Sequence, residues 1–231
     1  MTVLLLFDID GTLLLKASGA HREAIDEGLR EVYGIDDPSG LAVSNPAGRT
    51  DSEIARELLT AAGGDPDLFD GRIDEFRLTC AAAFARACPE SLTAHVAPGI
   101  AELLEGLEGA RLSLVTGNYE PIARLKLARA GIGHYFLAGQ GGFGSDAEAR
   151  GLLPAIARRR AGAADGEPHP RERTIVIGDT PRDIACARAD GLRVLAVATG
   201  PFPVEALSDA DGVAADGYAL REMLSRELAC R

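Results

Sequence analysis

Lysine is almost absent from this chain of 231 residues: only Lys16 and Lys126 occur, and arginine carries nearly all the remaining positive charge. Any chemistry that needs an amine is therefore confined to two positions. Cysteine is sparse too. Cys80, Cys88, Cys186 and Cys230 are the whole set, and no two have the two-residue spacing of a metal knuckle or redox pair. Isolated thiols in a reducing cytosol are the expectation. No apolar run approaches bilayer-spanning length. The N-terminal run Val3 to Phe7 has neither a basic flank nor a small-residue cleavage site, so it is not read as a signal peptide. A cytoplasmic protein without membrane association is expected. An excess of positive charge is missing as well. The formal net charge of −11 repels nucleic acid and anionic membrane alike, so neither is an expected partner. It also repels anionic metabolites, so any phosphate site must carry its own local positive charge.

What is present is a chain with 46% hydrophobic residues, enough for a buried core and, at this length, for one large domain or a core with a smaller companion. Short apolar runs read as buried strands at 3–7, 111–115, 174–177 and 193–197, with weaker candidates at 135–138 and 212–215. Helical patterns lie between them at 100–107, 121–130, 152–160 and 181–190, several closed by glycine or opened by proline. Continuous apolar strands alternating with helices predict an α/β fold, a three-layer Rossmann-like parallel sheet covered on both faces. Residues 16 to 95 break the alternation with three helical stretches, 20–33, 52–62 and 66–87, and no confident strand. An all-helical domain inserted after the first strand is expected there, with 1–15 and 96–231 forming the core. The stretches 39–48 and 162–171 read as flexible connections.

The first strand runs into Asp8-Ile9-Asp10-Gly11-Thr12. In parallel sheets functional groups gather beyond the C-terminal strand ends. At i, i+2 spacing Asp8 and Asp10 share a side if the extended backbone persists, and two acids so close need a cation or a shared proton. Gly11 permits a sharp turn, and Thr12 can bond nearby main chain. Alone, this reads equally well as a solvated acidic turn. The second strand runs into Thr116-Gly117-Asn118, a hydroxyl and free N–H groups opening a helix, which is either an anion cradle or an ordinary helix cap. A later strand runs into Gly178-Asp179-Thr180-Pro181-Arg182-Asp183, either a ligand pair or an acidic helix start. Three such strand ends in one order favour a site. Asp8 and Asp179 bring the hard oxygens that Mg²⁺ prefers.

On these motifs the chain resembles the haloacid dehalogenase-like hydrolase superfamily over essentially its whole length. It is similar in particular to phosphatases of the phosphoglycolate phosphatase and β-phosphoglucomutase kind, with a helical cap after the first motif. The resemblance implies Asp8 as nucleophile and Asp10 as general acid/base, the latter an acid that the dehalogenases themselves lack. It implies Thr116 as the phosphate-binding hydroxyl, with Gly117 and Asn118 beside it. Mg²⁺ is implied as cofactor, on Asp8, Asp10 and Asp179, with Asp183 as the second acid of the last motif and Thr12 in support. His21 stands where such phosphatases often carry a histidine at the start of the cap.

One motif departs from the family's pattern. A lysine is usual at a helix start before the last motif, and neither lysine fits. Lys16 is too early, and Lys126 lies about two turns into a helix, ~10 Å from the strand end at 1.5 Å per residue. Arg150 is the expected substitute, able to grip phosphate with two nitrogens. In the cap, Arg49 and Thr50 precede a helix near where relatives place a specificity loop, and Arg49 reads either as a contact to a second anionic group on the substrate or as a solvated arginine beside a helix cap. A small phosphorylated metabolite hydrolysed through an aspartyl-phosphate is the reading that results, in a monomer or homodimer. A phosphomutase shares every motif. A phosphonate-cleaving relative needs a cap lysine, for which only Lys16 is available. A non-enzymatic regulator on the same fold is the remaining alternative.

Overall fold

A computed structural model describes residues 2–17, 19–162 and 166–229. The first strand, β1 (Val3–Phe7), is followed only by helices up to residue 105: α1 (Gly19–Tyr33), α2 (Asp51–Ala61), α3 (Asp67–Gly71), α4 (Ile73–Ala87) and α5 (Ile100–Glu105), with short 3₁₀ turns between them. Strands and helices then alternate as β2 (Ala110–Thr116), α6 (Glu120–Arg129), β3 (Gly142–Phe143), α7 (Leu153–Arg160), β4 (Thr174–Gly178), α8 (Pro181–Ala189), β5 (Arg193–Val197), β6 (Gly212–Ala214) and α9 (Gly217–Ala229).

Six strands form one sheet in the order β3-β2-β1-β4-β5-β6, every pair parallel. All five β1 side chains are buried because both faces of the sheet are covered. Val3, Leu5 and Phe7 join one apolar cluster with Ile175, Ile177 and Leu195, while Leu4 and Leu6 join a second with Val176 and Val194. The period-two alternation of the strands thus feeds two separate cores, as three layers require. β1 lies between β2 and β4, so the ends of these three strands stand side by side at one edge of the sheet.

Four strand expectations hold to within a residue or so, and the weaker one near 212 is β6. The candidate at 135–138 is not a strand: Gly133–Tyr135 winds as a 3₁₀ turn, and the sheet edge is instead the two-residue β3, too short to leave an apolar run. The single helix expected over 66–87 is two, broken at Arg72, whose φ of −126° and ψ of 15° leave the helical region. α1 and α4 pack closely where Gly28 has no side chain, since a Cβ there would stand 2.6 Å from Cys80 Sγ. Cys80, Cys88 and Cys186 are buried and free, and Cys230 lies outside the described residues. The stretch 162–171 is described only in part. Among the described residues no helix is long and apolar enough to cross a membrane.

Candidate active site

Asp8 continues the β1 ladder by one bond, its N–H donating to Ile177 O at 2.9 Å, and then the chain turns. The N–H groups of Leu13 and Leu14 both return to Ile9 O, and Gly11 takes a φ of 91°. That conformation favours glycine, and the space demands it too, because a Cβ on Gly11 would collide with the Asp179 carboxylate. A Cβ on Gly200 would strike the same group. Two glycines therefore hold a cradle around Asp179.

Asp8, Asp179 and Asp183 are all buried, and one carboxylate oxygen of each lies within 4.8 Å of the others. Thr12 Oγ1 donates to Asp179 Oδ1 at 2.9 Å, so Thr12 supports a side chain rather than the main chain. Asp179 Oδ2 is buried with no hydrogen-bond partner. An orphaned carboxylate oxygen among three hard donors fits a small divalent cation such as Mg²⁺. The electrostatics agree. Burial lifts the Asp8 carboxyl well above the carboxylate range; Arg150 opposes the shift, and Asp183 and Asp10 add to it. Burial, then Asp183 and Asp8, does the same to Asp179.

Asp183 has a double duty. Its Oδ2 accepts from Thr180 N–H at 3.0 Å and Thr180 Oγ1 at 2.7 Å, closing a capping box at the start of α8. Its Oδ1 pairs with Arg150. Arg150 opens a 3₁₀ turn just before α7 and is 7% exposed, and its Nη2 lies 3.3 Å from Asp8 Oδ1. Against the desolvation that burial imposes, Asp183 and Asp8 keep its guanidinium firmly protonated.

Asp10 stands apart from the acidic trio. Expected among the metal ligands, its side chain is instead drawn aside by other groups. Lys126 Nζ lies 2.8 Å from Oδ1 and 2.7 Å from Oδ2, and Asn118 Nδ2 donates to Oδ2 at 2.9 Å. Burial alone would lift this carboxyl, but Lys126 and His21, with the hydrogen bonds from Lys126 and Asn118, hold it below its ordinary value.

Lys126 is the residue that sequence reasoning set aside. Rise along the helix axis overstates its separation from the strand end, because its side chain reaches from α6 to Asp10 just beyond β1. It is wholly buried, and its ammonium also meets Asn118 Oδ1 at 2.9 Å and His21 Nδ1 at 3.0 Å. A signal was available: Lys126 sits on the buried face of α6 with Ile122, Ala123 and Leu127, where a lysine is out of place unless paired. Asp51 was missed as well. Its Oδ2 lies 3.0 Å from His21 Nε2 and accepts from Tyr119 N–H at 2.7 Å. His21 therefore bridges Lys126 to Asp51, and Asp51 ties α2 to the start of α6.

Thr116 is fully buried, and its Oγ1 accepts from Asn118 N–H at 3.4 Å. Gly117 allows a close approach by the loop before α2, because a Cβ there would collide with the Arg49 carbonyl, and Gly117 O accepts from Asp51 N–H at 2.9 Å. Thr50 caps α2 in a box with Glu53 and donates to Glu148 O at 2.8 Å. Arg49 does not present a free cation. It lines the cavity, and its guanidinium pairs with Glu57 and reaches Glu53 O at 3.3 Å, so it is ion-paired rather than solvated.

A cavity of about 650 Å³ opens beside Asp8 and Asp10, its wall shared by the β1 and β2 loops, α1, α2 and the 43–49 loop.

The sequence profile of the haloacid dehalogenase-like hydrolases matches residues 5–188. Among curated proteins none matches the chain. Solved structures share its fold. A hydrolase from Pseudomonas syringae superposes with a TM-score of 0.67 at 21% identity, covering 98% of this chain and 99% of that one. A protein described as a predicted phosphatase from Clostridium acetobutylicum gives a TM-score of 0.70 at 19% identity over 98% and 99%. CbbY from Rhodobacter sphaeroides, in complex with phosphate, gives 0.58 at 22% identity over 94% and 95%. With the profile matching most of its length, the chain belongs to the haloacid dehalogenase-like hydrolase family.

Proposed function

We propose that the chain is a Mg²⁺-dependent phosphatase that hydrolyses a small phosphomonoester through an aspartyl-phosphate on Asp8, with α1 to α4 acting as a cap over the site. The observation that carries this reading is the division of the two strand-end acids: Asp8 lies against Arg150 and the buried acidic trio, while Asp10 lies against Lys126. The two carboxylates have separate electrostatic environments and so are suited to separate tasks. Relatives of this fold described as phosphatases, and one holding phosphate, support the same class.

The steps balance on this chain's own groups. An Asp8 carboxylate oxygen attacks phosphorus in line, the ester P–O bond breaks, and Asp10 gives its proton to the departing alkoxide. The ionised Asp10 then takes a proton from a water that attacks the phosphorus of the acyl phosphate, which frees phosphate and restores Asp8. Lys126 keeps Asp10 ionised before substrate binds; the charge of the arriving phosphate raises its proton affinity, and Asp10 takes up from solvent the proton that it then gives to the alkoxide. Arg150, with the main chain of Gly117 and Asn118 at the cavity wall, is placed to bind the phosphoryl oxygens. Asp8, Asp179 and Asp183 would hold Mg²⁺, which when bound offsets charge on the phosphoryl group.

The decisive variant is Asp8→Asn. Phosphate release in the presence of Mg²⁺ should fall below detection while the circular dichroism spectrum stays unchanged. Turnover near the wild-type rate from the folded variant would sink the assignment.

A further inference from the structure

Among the described residues, the polar side chains along the cavity wall, Lys16 aside, have a partner already or belong to the reacting centre. Arg22 donates to Asp26 Oδ1 at 2.9 Å, to Leu41 O at 2.9 Å and to Pro38 O at 3.1 Å. Arg49 pairs with Glu57. His21 is held between Lys126 and Asp51, and the Oδ2 of Asp51 that faces His21 also accepts from the Tyr119 main chain. Asn118 is spent on Asp10 and Lys126, and Thr199 Oγ1 donates to Gly11 O at 2.6 Å. Lys16 is the exception, and it is exposed at the edge of the cavity, where water dissipates its charge. The surface between these groups is largely hydrocarbon, chiefly from Leu15, Val43, Pro46 and Ile54.

We infer that the leaving group is apolar: the substrate is a phosphomonoester of an aryl or alkyl alcohol rather than of a sugar or a hydroxy acid. This rests on the phosphatase reading and narrows it. A sugar seated here sets hydroxyls against Leu15, Val43 and Ile54, and a buried unpaired hydroxyl is costly. Among the described residues the wall's arginines are each already paired with a carboxylate, so a substrate carboxylate has to compete for them. An aromatic or branched alkyl group loses nothing and removes apolar surface from water. The volume of about 650 Å³ lies in the range of sites for drug-sized molecules, ample for a bicyclic ring beyond the phosphoryl position.

The test compares kcat/KM, with Mg²⁺ and phosphate release as readout, for 1-naphthyl phosphate and hexyl phosphate against glucose 6-phosphate and phosphoglycolate. The apolar esters are expected to be preferred by roughly tenfold or more, the scale on which a hydrophobic pocket discriminates. Val43→Asn and Ile54→Asn, on two different elements of the wall, should each cut the naphthyl-to-glucose selectivity ratio by a similar factor, a readout that does not depend on how much active protein either variant yields. Preference for glucose 6-phosphate or phosphoglycolate overturns the inference and leaves the phosphatase reading standing. Loss of the phosphoglycolate reaction on Lys16→Ala would then identify the anion's partner. No Mg²⁺-dependent hydrolysis of any of the four esters overturns the phosphatase reading, and the inference falls with it.

Discussion

Lys126 Nζ lies 2.7 Å from Asp10 Oδ2, although 116 residues separate the two in the chain. The pair joins α6 to the loop after β1, and the lysine is wholly buried where it does so. A second cation, Arg150, stands 3.3 Å from Asp8. One chain has thus placed its single buried lysine and a buried arginine on two acids two residues apart, one cation to each.

Replacing Lys126 by Met keeps the packing volume and removes the charge. Asp10 then loses the ammonium that holds its carboxyl low, so its pKa rises. The alkaline limb of the pH profile of kcat/KM, which marks loss of the proton that Asp10 gives to the leaving group, should move to higher pH, and kcat should fall by up to about 100-fold, the low end of what general acid/base catalysis contributes. An unshifted profile in the folded variant removes Lys126 from any part in tuning Asp10.

Mg²⁺ should stabilise the fold more at high pH than at low pH. Asp8 is raised to about 7 and Asp179 to about 8, both chiefly by burial. A carboxyl raised in the folded state keeps a proton that the unfolded chain releases near pH 4. The metal-free protein therefore loses stability from these groups as pH rises from about 4 through those values. The cation binds the ionised forms and relieves that loss. The gain in Tm on adding Mg²⁺ should be larger at pH 8.5 than at pH 5.5, and a gain independent of pH contradicts a site built on these acids.

Arg150→Ala removes the cation shared by Asp8 and Asp183 and leaves buried like charges facing each other. The metal-free fold should lose about 3 kcal/mol, the scale of a broken buried pair. Arg150→Lys should recover part of the stability but not the two-nitrogen grip on phosphate, so its KM should stay high. Urea unfolding and steady-state kinetics on both variants separate the two effects.

Much of this was legible from residue order. The strands at 3–7, 174–177 and 193–197 are continuous apolar runs because both sheet faces are buried, and a pattern of that kind survives without structural context. Asp8, Asp179 and Arg150 could be located because they follow strands or open a helix, and local order fixes such positions. Lys126 could not be placed by the same logic. Its reach depends on how α6 lies across the sheet, and rise per residue measures the axis rather than the side chain. Arg49 stays open between two readings for the related reason that its partner Glu57 lies two helical turns away on α2, and which of the two, Glu57 or a ligand, holds the guanidinium is a tertiary matter. The strand β3 left no trace, since two residues carry no period.

Gly117→Ala should push the 43–49 loop off the β2 end, because the new methyl meets the Arg49 carbonyl rather than a flexible side chain. A loss of about 1–3 kcal/mol is expected, typical of overpacking, together with a raised KM. Gly19→Ala, with nothing near its added methyl, serves as the control and should change stability by less than about 0.5 kcal/mol.

The sheet ends on one side in the two-residue β3 and on the other in the three-residue β6. Neither rim offers a row of free amides long enough for a foreign strand to zip onto. Solutions of this protein should therefore resist fibril growth templated from the native rims, and amyloid-type assembly would have to begin from opened molecules. The wholly apolar β1 is a segment suited to start it, and in the native fold it is shielded at the centre of the sheet.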